Sequence, residues 1–569
     1  METEKGDKKS LIWKFFTAEE SSIKCNEKGC NFEYSLNSSV TTLKYHLKKH
    51  IESYEQYKKL KPQQLQQSSI LQFVEKLPVA RVNKINEKIA YFIAHDMRPY
   101  ETVEGDGFKQ MISALEPKYQ VPSSYYFRKT GIPNLYNKLK AELLLILKND
   151  LKCLSFTTDY WQSSFQDSYL TVTLHFIDSE FMLKSYVLDT LKHNSSHTAL
   201  AVSEKIIEIF RNFGLNLQNF GYSFSTTDQG ANIKAALRDH LKIPNIPCCN
   251  HALNNLITSI YKESNEGIFQ NIKEACQKIA IYLRSSYIIK QDLQDICDQY
   301  KWQYTSPKLY SPTRFNGIYL MLVSIQKNLK QIDILSTQNA HTELRKLRLR
   351  SDQIKQLEDI VQFLQPFNEI TIKMSGEKYV TSSQILVYCQ LIEKQLLQEN
   401  KGDSDWIQDL KIKSKKSYTK YFENYYINNI EICQILLKCT FLDPRYKELN
   451  FLQNEIKLKI IENINEEVNR INPIIEQQIN QSNNQQMESE DSDNNNNMCS
   501  INKMISKLLN KQETDKVTKR EIDIYNELTE YISQNTNPLQ WWQTRKQQFP
   551  NLYQLSKIYL SIQGTFGHP

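Results

Sequence analysis

The chain has 569 residues, of which 40% are hydrophobic and 11% aromatic, and its formal net charge is +7. This length predicts several domains with large buried cores, and the small net charge excludes a DNA affinity that rests on a global electrostatic field. Any such affinity must come from local basic patches. No run of about 18 apolar residues is present, and the N-terminus lacks an apolar signal region. We therefore expect a soluble intracellular protein without a membrane partner.

Eleven cysteines are scattered along the chain. An odd number of cysteines, mostly away from any paired motif, is typical of reduced thiols in the cytosol or nucleus.

Four residues near the start have the spacing of zinc ligands. Cys25 and Cys30 precede His46 and His50, and the two histidines lie four positions apart on one predicted helix. Two thiolates and two imidazoles can close the tetrahedral site of a structural zinc ion. The pattern predicts a small ββα zinc finger over residues 8–60. The alternative is four unrelated residues on a solvated helix.

The same predicted helix carries lysines away from the ligands. Lys44 and Lys48 are expected opposite the zinc face, and Lys49 lies on its flank. These side chains could contact phosphates while the helix lies in a major groove. We therefore predict that the finger binds double-stranded DNA.

Behind the finger, the hydrophobic pattern changes several times. Three β-rich runs between Phe156 and Leu191 predict a meander, and a later strand that ends on Asp228 turns into a helix, so we expect a mixed α/β sheet. The helical pattern from Ala252 to about Tyr426 is too long for one crossover and predicts an inserted all-α domain. The predicted segments after the finger are a linker at 61–69, a helical region at 70–150, the first part of the α/β core at 151–260, the helical insertion at 261–430, a return to the core at 431–475, a disordered Asn/Gln/acidic linker at 476–500 and a helical C-terminal region at 501–569.

Two acidic residues are placed where strands end. Asp159 is expected to close one strand and begin a turn, and Asp228 does the same on a later strand. Two such carboxylates side by side can hold divalent metal ions for phosphoryl transfer, which usually requires a third carboxylate. The alternative is that each residue is a turn former or a helix cap.

Successive sequence blocks resemble one family along nearly the whole chain. "IWKFFT" and "LKYHLKKH" resemble the ends of a BED-type zinc finger, although four residues separate the cysteines here and most members have two. "FTTDYWQSSFQDSYLTVTLHFID", "TTDQGANIKAAL", "PCCNHALNNL", "SPTRFN", "FLDPRYK" and "PLQWWQTRKQQFPNLYQLSKIYLSI" resemble, in this order, the blocks of hAT superfamily DNA transposases. The resemblance implies a ribonuclease-H-like fold interrupted by a large helical insertion, a helical DNA-binding or intertwining region at 70–150, a C-terminal dimerisation region and a nuclear location.

The resemblance also implies roles for individual residues. Asp159 and Asp228 match the first two acids of the family's catalytic triad, which uses Mg²⁺ or Mn²⁺ in active members. Arg314 matches the first residue of an Arg-Trp pair that captures an extruded base, and Phe315 replaces the Trp, so that a stacking face remains without the indole N–H. Cys248 and His251 match a Cys-x-x-His element that lies close to the active site and contacts the DNA substrate. Trp161 also agrees with the family pattern, and we expect all three residues to contact DNA.

Other interpretations of these residues stay open from the sequence alone. Cys248, Cys249 and His251 could be half of a second zinc site or, alternatively, a buried helix start. Trp541 and Trp542 have the spacing of core or subunit-interface residues, and we assign them to dimerisation.

The third catalytic acid of the family, a Glu, has no counterpart after Glu530. Because loss of one carboxylate from an interdependent metal site costs orders of magnitude in rate, we expect a transposase-derived DNA-binding protein without catalytic activity. The rivals are an active transposase and a protein-docking scaffold. We expect a homodimer or a higher homo-oligomer.

Overall fold

The structure of the protein is a computed structural model, and the chain divides into two compact units, Met1–Leu143 and Leu144–Pro569. The side chains of 471–487 are not described. The structure describes residues 11–19, 21–36, 38–60, 77–194, 197–263, 267–311, 316–376, 378–487 and 520–565. The predicted linker at 61–69 therefore lies outside the described residues.

The finger segment of the first unit has one strand more than the predicted ββα pattern. Its strands β1 (Phe16–Ala18), β2 (Ile23–Cys25) and β3 (Glu33–Tyr34) form an antiparallel sheet in that order. The extra strand arises because the residues before the cysteines pair with β2, with Phe16 opposite Cys25. Two helices follow, Val40–Leu47 and 51–60.

The rest of the first unit is helical, as the pattern predicts. Its main helices enclose a core that contains Ile89, Val103 and Phe127. The buried Asn86 accepts a hydrogen bond from Tyr119 Oη at 2.5 Å, which satisfies a polar group inside this core. The helices are Val79–His95, Asp106–Leu115 and Ile132–Asp150.

The second unit is built on a five-stranded mixed sheet. Three strands form the predicted antiparallel meander, and two more run parallel to β4, so the sheet order is β6-β5-β4-β7-β8. The prediction of a mixed sheet is confirmed. The strands are β4 (Leu154–Gln162), β5 (Ser168–Ile177), β6 (Leu183–Lys192), β7 (Ser223–Thr227) and β8 (Asn245–Pro247).

Helices cover both faces of this sheet because β4 is apolar on one side and polar but buried on the other. Phe156 packs edge-on against Phe210 of the helix Ala199–Asn212, with ring centroids 5.1 Å apart. Ser155, on the opposite face, donates to the carbonyl of Ser561 at 3.4 Å. Two further helical segments, Ala231–Leu241 and Cys249–Glu263, follow β7 and β8.

The helical insertion follows β8, and most of its helices share a hydrophobic core with the sheet. In the described part of the chain it consists of Ile268–Leu283, Tyr287–Tyr300, Gly317–Lys327, Leu329–Thr337, Thr342–Leu347, Ser351–Met374, Ile385–Leu391 with its continuation to Leu396, and Asp405–Tyr418 with its continuation to Ile427.

The last helices return to the sheet, and one of them corrects the predicted linker. A single helix runs over Asn454–Met487, so residues 476–487 are helical where disorder is predicted. The five glutamines of this segment are good helix formers and extend a helix that is packed in the core through Ile460, Ile464 and Val468. Residues 488–519 lie outside the described part. The other helices are Ile430–Phe441, Glu521–Glu527, Pro538–Thr544 and Pro550–Leu560.

Trp541 and Trp542 belong to the core of one chain. Trp542 has no exposed surface, and its Nε1 donates to the carbonyl of Leu442 at 2.7 Å. Trp541 is 5% exposed, and both indoles contact Tyr525 and Phe549. The predicted subunit contact is wrong for these two side chains, because buried rings leave almost no surface for a partner. The alternative of core packing is confirmed.

Replacement of Trp542 by alanine should destabilise the second unit strongly. Removal of a fully buried indole leaves a cavity and an unpaired carbonyl at Leu442, which together cost about 3–5 kcal/mol. We expect a clear fall in the thermal unfolding midpoint of Trp542→Ala, measured by calorimetry. The matched control Tyr531→Ala, at a position 90% exposed, should leave the midpoint unchanged. Equal midpoints for the two variants would contradict this packing.

Candidate metal and nucleic-acid sites

The four predicted zinc ligands converge. One donor atom from each of Cys25, Cys30, His46 and His50 lies within 4.8 Å of every other, and this is the one such group of three or more found among the described residues. His46 Nε2 is 3.3 Å from Cys30 Sγ and 3.1 Å from His50 Nε2. The structure thus brings together every ligand that the spacing predicts.

Local structure places each ligand. Cys25 ends β2, and the turn to Cys30 is closed by a bond from the Cys30 N–H to the carbonyl of Glu27. Ser39 caps the next helix, since its side chain accepts from the N–H of Thr42 at 3.2 Å. This cap starts the helix at the position that brings His46 over the cysteines.

The helix that carries the histidines is not continuous, in contrast to the prediction. The helix Val40–Leu47 ends before His50, and the next one begins at residue 51. Between them the N–H groups of Lys49 and His50 bond to carbonyls three residues back, which tightens the turn. The tighter turn still brings His50 against His46, so the four ligands lie together although the helix is interrupted.

His46 is the most enclosed of the four ligands. Its ring is 3% exposed and contacts the rings of Phe16, Phe32 and Tyr34. Burial, and then the neighbouring His50 and Lys49, lower the pKa of His46. A neutral imidazole is the form that binds a metal ion.

The donor distances fit a tetrahedral metal ion. Bond lengths of about 2.3 Å to sulfur and 2.0 Å to nitrogen place tetrahedral ligands about 3.5 Å apart for a sulfur and a nitrogen and about 3.3 Å apart for two nitrogens. The observed 3.3 Å and 3.1 Å separations are close to these values. His46 Nδ1 is buried and has no hydrogen-bond partner in the described residues, so the ring is held by packing and not by an acceptor on this nitrogen.

The three predicted phosphate contacts differ in exposure. Lys48 and Lys49 are exposed and lie over the rings of Tyr45 and Phe32, at 4.7 and 5.3 Å from the centroids. Lys44 is half-buried and lies 5.9 Å from the centroid of Tyr57. Two of the lysines therefore present their ammonium groups to solvent beside the ligand cluster.

The acidic pair lies on neighbouring parallel strands. The last paired residues of β4 and β7 are Thr158 and Thr227, and Asp159 and Asp228 follow them directly. The prediction that Asp159 ends its strand is wrong, because β4 continues to Gln162 through its pairing with β5. Asp228 leaves its strand and accepts a bond from the N–H of Gly230 at 3.2 Å. The two carboxylates therefore lie side by side where the parallel pairing of β4 and β7 ends.

The proximity of Asp159 and Asp228 affects the pKa of Asp159. Burial, and then the charge of Asp228, raise the pKa of Asp159 to about 7. A buried carboxyl group beside a second carboxylate forms a site where a divalent cation would be favourable. Gly230 leaves room beside the pair, because a Cβ at this position would lie 3.2 Å from Asp228 Oδ1.

Trp161 lies on the same face of β4 as Asp159. Its Nε1 donates to Thr171 Oγ1 at 3.1 Å, and its ring stacks on Tyr169 at 4.7 Å. The side chain is 44% exposed, so a contact with DNA stays a prediction. Thr171, which pairs with Asp159 across the sheet, was missed by the sequence reasoning, and only the strand register could have identified it.

The structure contradicts the role predicted for Cys248. Its side chain is 1% exposed and its Sγ lies 3.1 Å from Thr565 Oγ1, so the prediction of a direct contact with DNA is wrong. Cys249 is fully buried at the first position of its helix, which confirms the alternative of a buried helix start. His251 is half-buried on the same helix, and its role stays a prediction. Arg314 and Phe315 lie outside the described residues.

The C-terminal segment contributes to the sheet in a way that the sequence did not indicate. Thr226 Oγ1 donates to the carbonyl of Gln563 at 2.6 Å, and the N–H of Cys249 donates to the carbonyl of Gly564 at 2.8 Å. Residues 561–565 therefore support the strand that positions Asp228. No local pattern in the sequence carries this contact.

Comparisons with known proteins match three regions of the chain. Residues 157–253 match the ZBED1 RNase-like domain, residues 246–363 match the ZBED1 RNase-like helical domain, and residues 521–566 match the hAT family C-terminal dimerisation region. The chain is a relative of the hAT transposases.

Individual relatives agree with these matches. The human zinc finger BED domain-containing protein 4 is 23% identical over 511 residues, which are 86% of this chain and 41% of that protein. The Drosophila melanogaster transposable element Hobo transposase is 25% identical over 384 residues, which are 62% of this chain and 55% of that protein. The Zea mays putative AC transposase is 22% identical over 370 residues, with 62% and 43% coverage. The chain thus spans about half the length of these relatives.

Its described helices include none that is both long and apolar enough to cross a membrane.

The shifted pKa of Asp159 predicts a pH-dependent stability. Between about pH 4 and 7 the folded protein retains a proton that the unfolded chain has released, so this group's contribution falls as the pH rises through that window. Asp159→Asn removes the charge and should raise the unfolding midpoint at pH 8 relative to the parent protein. The difference should shrink at pH 4.

The partner variant provides the control for this effect. Asp228→Asn removes the second cause of the shift and leaves the burial, so it should give a smaller change in the pH dependence than Asp159→Asn. Calorimetric midpoints for Asp159→Asn that differ from the parent equally at both pH values would contradict the assignment.

Proposed function

We propose that this chain is a hAT-transposase-derived protein that binds double-stranded DNA in the nucleus through a zinc-ordered, BED-type finger. The convergence of the donor atoms of Cys25, Cys30, His46 and His50 carries this proposal. Two thiolates and two imidazoles in a closed set are typical of structural zinc. The similarity to BED zinc finger proteins and to transposases supports DNA as the partner.

Zinc would order a segment that has a small core of its own. The buried side chains of the finger include Ile12, Phe16, Ile23, Leu43 and Leu47. A core of this size supplies little net stability once chain entropy is subtracted. The ion would tie β2, the turn that follows it, the helix Val40–Leu47 and the turn at His50 to one point and supply much of the folding free energy.

DNA would be held by the exposed lysines beside this site. Lys48 and Lys49 follow the end of the helix Val40–Leu47, and Lys44 lies one turn before them. Phosphate contacts from these side chains would fix the orientation of the helix in the groove. The match to the C-terminal dimerisation region supports a homo-oligomer, in which two fingers would bind paired half-sites.

Removal of zinc from the full-length protein should abolish its binding to duplex DNA. The helix that carries the lysines loses its fixed position once the ligands are released. Fluorescence anisotropy with a duplex, before and after a strong chelator and after zinc is added back, measures this effect. Binding that persists unchanged after zinc removal would contradict the proposal.

Charge reversal of two finger lysines tests whether DNA binds through the finger or through another part of the protein surface. Lys48→Glu with Lys49→Glu should weaken duplex binding and lower the slope of log K against log salt by about 1 for each phosphate that is no longer neutralised. The matched control reverses Lys413 and Lys415, which are exposed on the helix Asp405–Tyr418 of the second unit. Equal effects of the two double variants on affinity would argue against DNA binding through the finger.

A second candidate function is metal-dependent strand cleavage at the acidic pair. It is favoured by the position of Asp159 and Asp228 on adjacent parallel strands and by the raised pKa of Asp159. The strand order, with three antiparallel strands followed by two parallel ones, agrees with a ribonuclease-H-like core. Mg²⁺ or Mn²⁺ would bind between these two carboxylates and stabilise the charge on a phosphate.

We nevertheless propose that the acidic pair is catalytically inactive in this chain. In the described residues, no third Cys, His, Asp or Glu joins Asp159 and Asp228 in a ligand group. A pair that lacks the third carboxylate would position the two metal ions of strand cleavage poorly.

A cleavage assay decides this point. We expect the full-length protein to leave supercoiled and linear DNA intact in the presence of Mg²⁺ or Mn²⁺, as measured by gel electrophoresis. Asp159→Asn serves as the control for contaminating nucleases. Cleavage by the parent protein that this variant loses would contradict catalytic inactivity and favour the enzyme.

A further inference from the structure

The helical insertion contains a cavity of about 840 Å³ that none of the sites above uses. Its walls come from the segment after Tyr300 and from three helices, Gly317–Lys327, Leu329–Thr337 and Ser351–Met374. A volume in this range accommodates a small molecule. Besides aliphatic and acidic residues, its walls include aromatic, cationic and amide groups, which together suit one class of ligand.

Trp302 supplies a flat apolar surface in this cavity. The helix Tyr287–Tyr300 is followed by Lys301, which caps it and has a left-handed backbone with φ of +56°. This turn lets the N–H of Trp302 bond to the carbonyl of Cys297 at 2.8 Å and places the indole on the cavity wall. Tyr300 stacks on the indole at 4.8 Å and holds its plane. A planar aromatic ligand could stack on such a surface.

Lysines make the cavity attractive to a phosphate. Lys301, Lys327 and Lys330 line it, all three are exposed, and none forms an ion pair within the described residues. Lys330 Nζ lies 5.8 Å from the centroid of Trp302, so a cation and the aromatic surface are adjacent. The remaining charged groups on the wall are Arg348 with its ion-pair partner Asp333 at 2.6 Å, and Glu358. The unpaired charge of the wall is therefore mainly positive.

Gln331 adds a buried hydrogen-bonding group. Its side chain is 4% exposed, and its Oε1 has no hydrogen-bond partner among the described residues. Its Nε2 is 3.8 Å from the Sγ of Cys297, which is a weak contact. A buried acceptor without a donor is costly, and an N–H group of a heterocyclic base would satisfy it once the Gln331 side chain turns toward the cavity.

We propose that this cavity binds a nucleotide, with the base against Trp302 and Gln331 and the phosphate on Lys301, Lys327 and Lys330. An open cavity of this size with one aromatic wall suits a single base better than an extended peptide. The nucleotide is either free in solution or an unpaired residue of a nucleic-acid strand, since both present the same base and phosphate. The site is independent of the finger and of the acidic pair.

Binding to the full-length protein tests this proposal. Equilibrium dialysis with labelled ATP, GTP and thymidine 5′-monophosphate measures free nucleotides, and a short oligothymidylate measures a strand. We expect saturable binding of at least one of these probes, weakened about tenfold or more by Lys327→Glu with Lys330→Glu. Trp302→Leu should weaken it similarly, whereas Trp302→Phe should retain most of the affinity. Inorganic phosphate should bind more weakly than any nucleotide that binds.

A charge-matched variant in the same domain provides the control. Lys355→Glu with Lys373→Glu changes two exposed lysines of the helix Ser351–Met374 that do not line the cavity, and it should leave the affinity unchanged. Binding of mononucleotides identifies a free ligand, and binding of the oligothymidylate alone identifies a strand.

Three results would overturn the proposal. One is no binding of any probe, and another is binding that the cavity variants and the control weaken equally. The third is an affinity for nucleotides no higher than that for inorganic phosphate, which would indicate an anion site without base recognition.

Discussion

The parallel pairing of β4 with β7 is the interaction on which the second unit depends. It joins Leu154–Thr158 to Ser223–Thr227, so the strands of a meander and of a later βα segment become one sheet. The pairing is non-local and requires support from both faces. Part of that support comes from the last described residues, whose carbonyls accept hydrogen bonds from Ser155, Thr226 and Cys249. The same register places Asp159 beside Asp228.

The two candidate sites are thus assembled by different interactions. The metal-ligand cluster of the finger is assembled by short elements that lie close together in the sequence, and a bound ion would stabilise it directly. The acidic pair is assembled by long-range strand pairing and is kept in place by a helical insertion and by the C-terminal segment. A cluster of local elements tolerates changes elsewhere in the chain better than a site that needs the entire second unit.

The local features were predictable from the sequence, and the long-range ones were not. Alternating apolar residues gave the three strands of the meander, and ligand spacing gave the cluster at Cys25 and His46. The burial of Cys248 depends on Thr565, and that of Trp542 on Leu442, so no local window contains the reason. The break between His46 and His50 was missed because hydrophobic periodicity does not distinguish a continuous helix from two helices joined by a tight turn.

The proposed function requires that the cluster of Cys25, Cys30, His46 and His50 holds zinc. X-ray absorption at the zinc edge of the purified full-length protein measures the ligands of the ion. We expect one zinc ion per chain with two sulfur ligands at about 2.3 Å and two nitrogen ligands at about 2.0 Å. A protein that binds DNA without zinc, or a zinc ion whose neighbours are not sulfur and nitrogen, would contradict it.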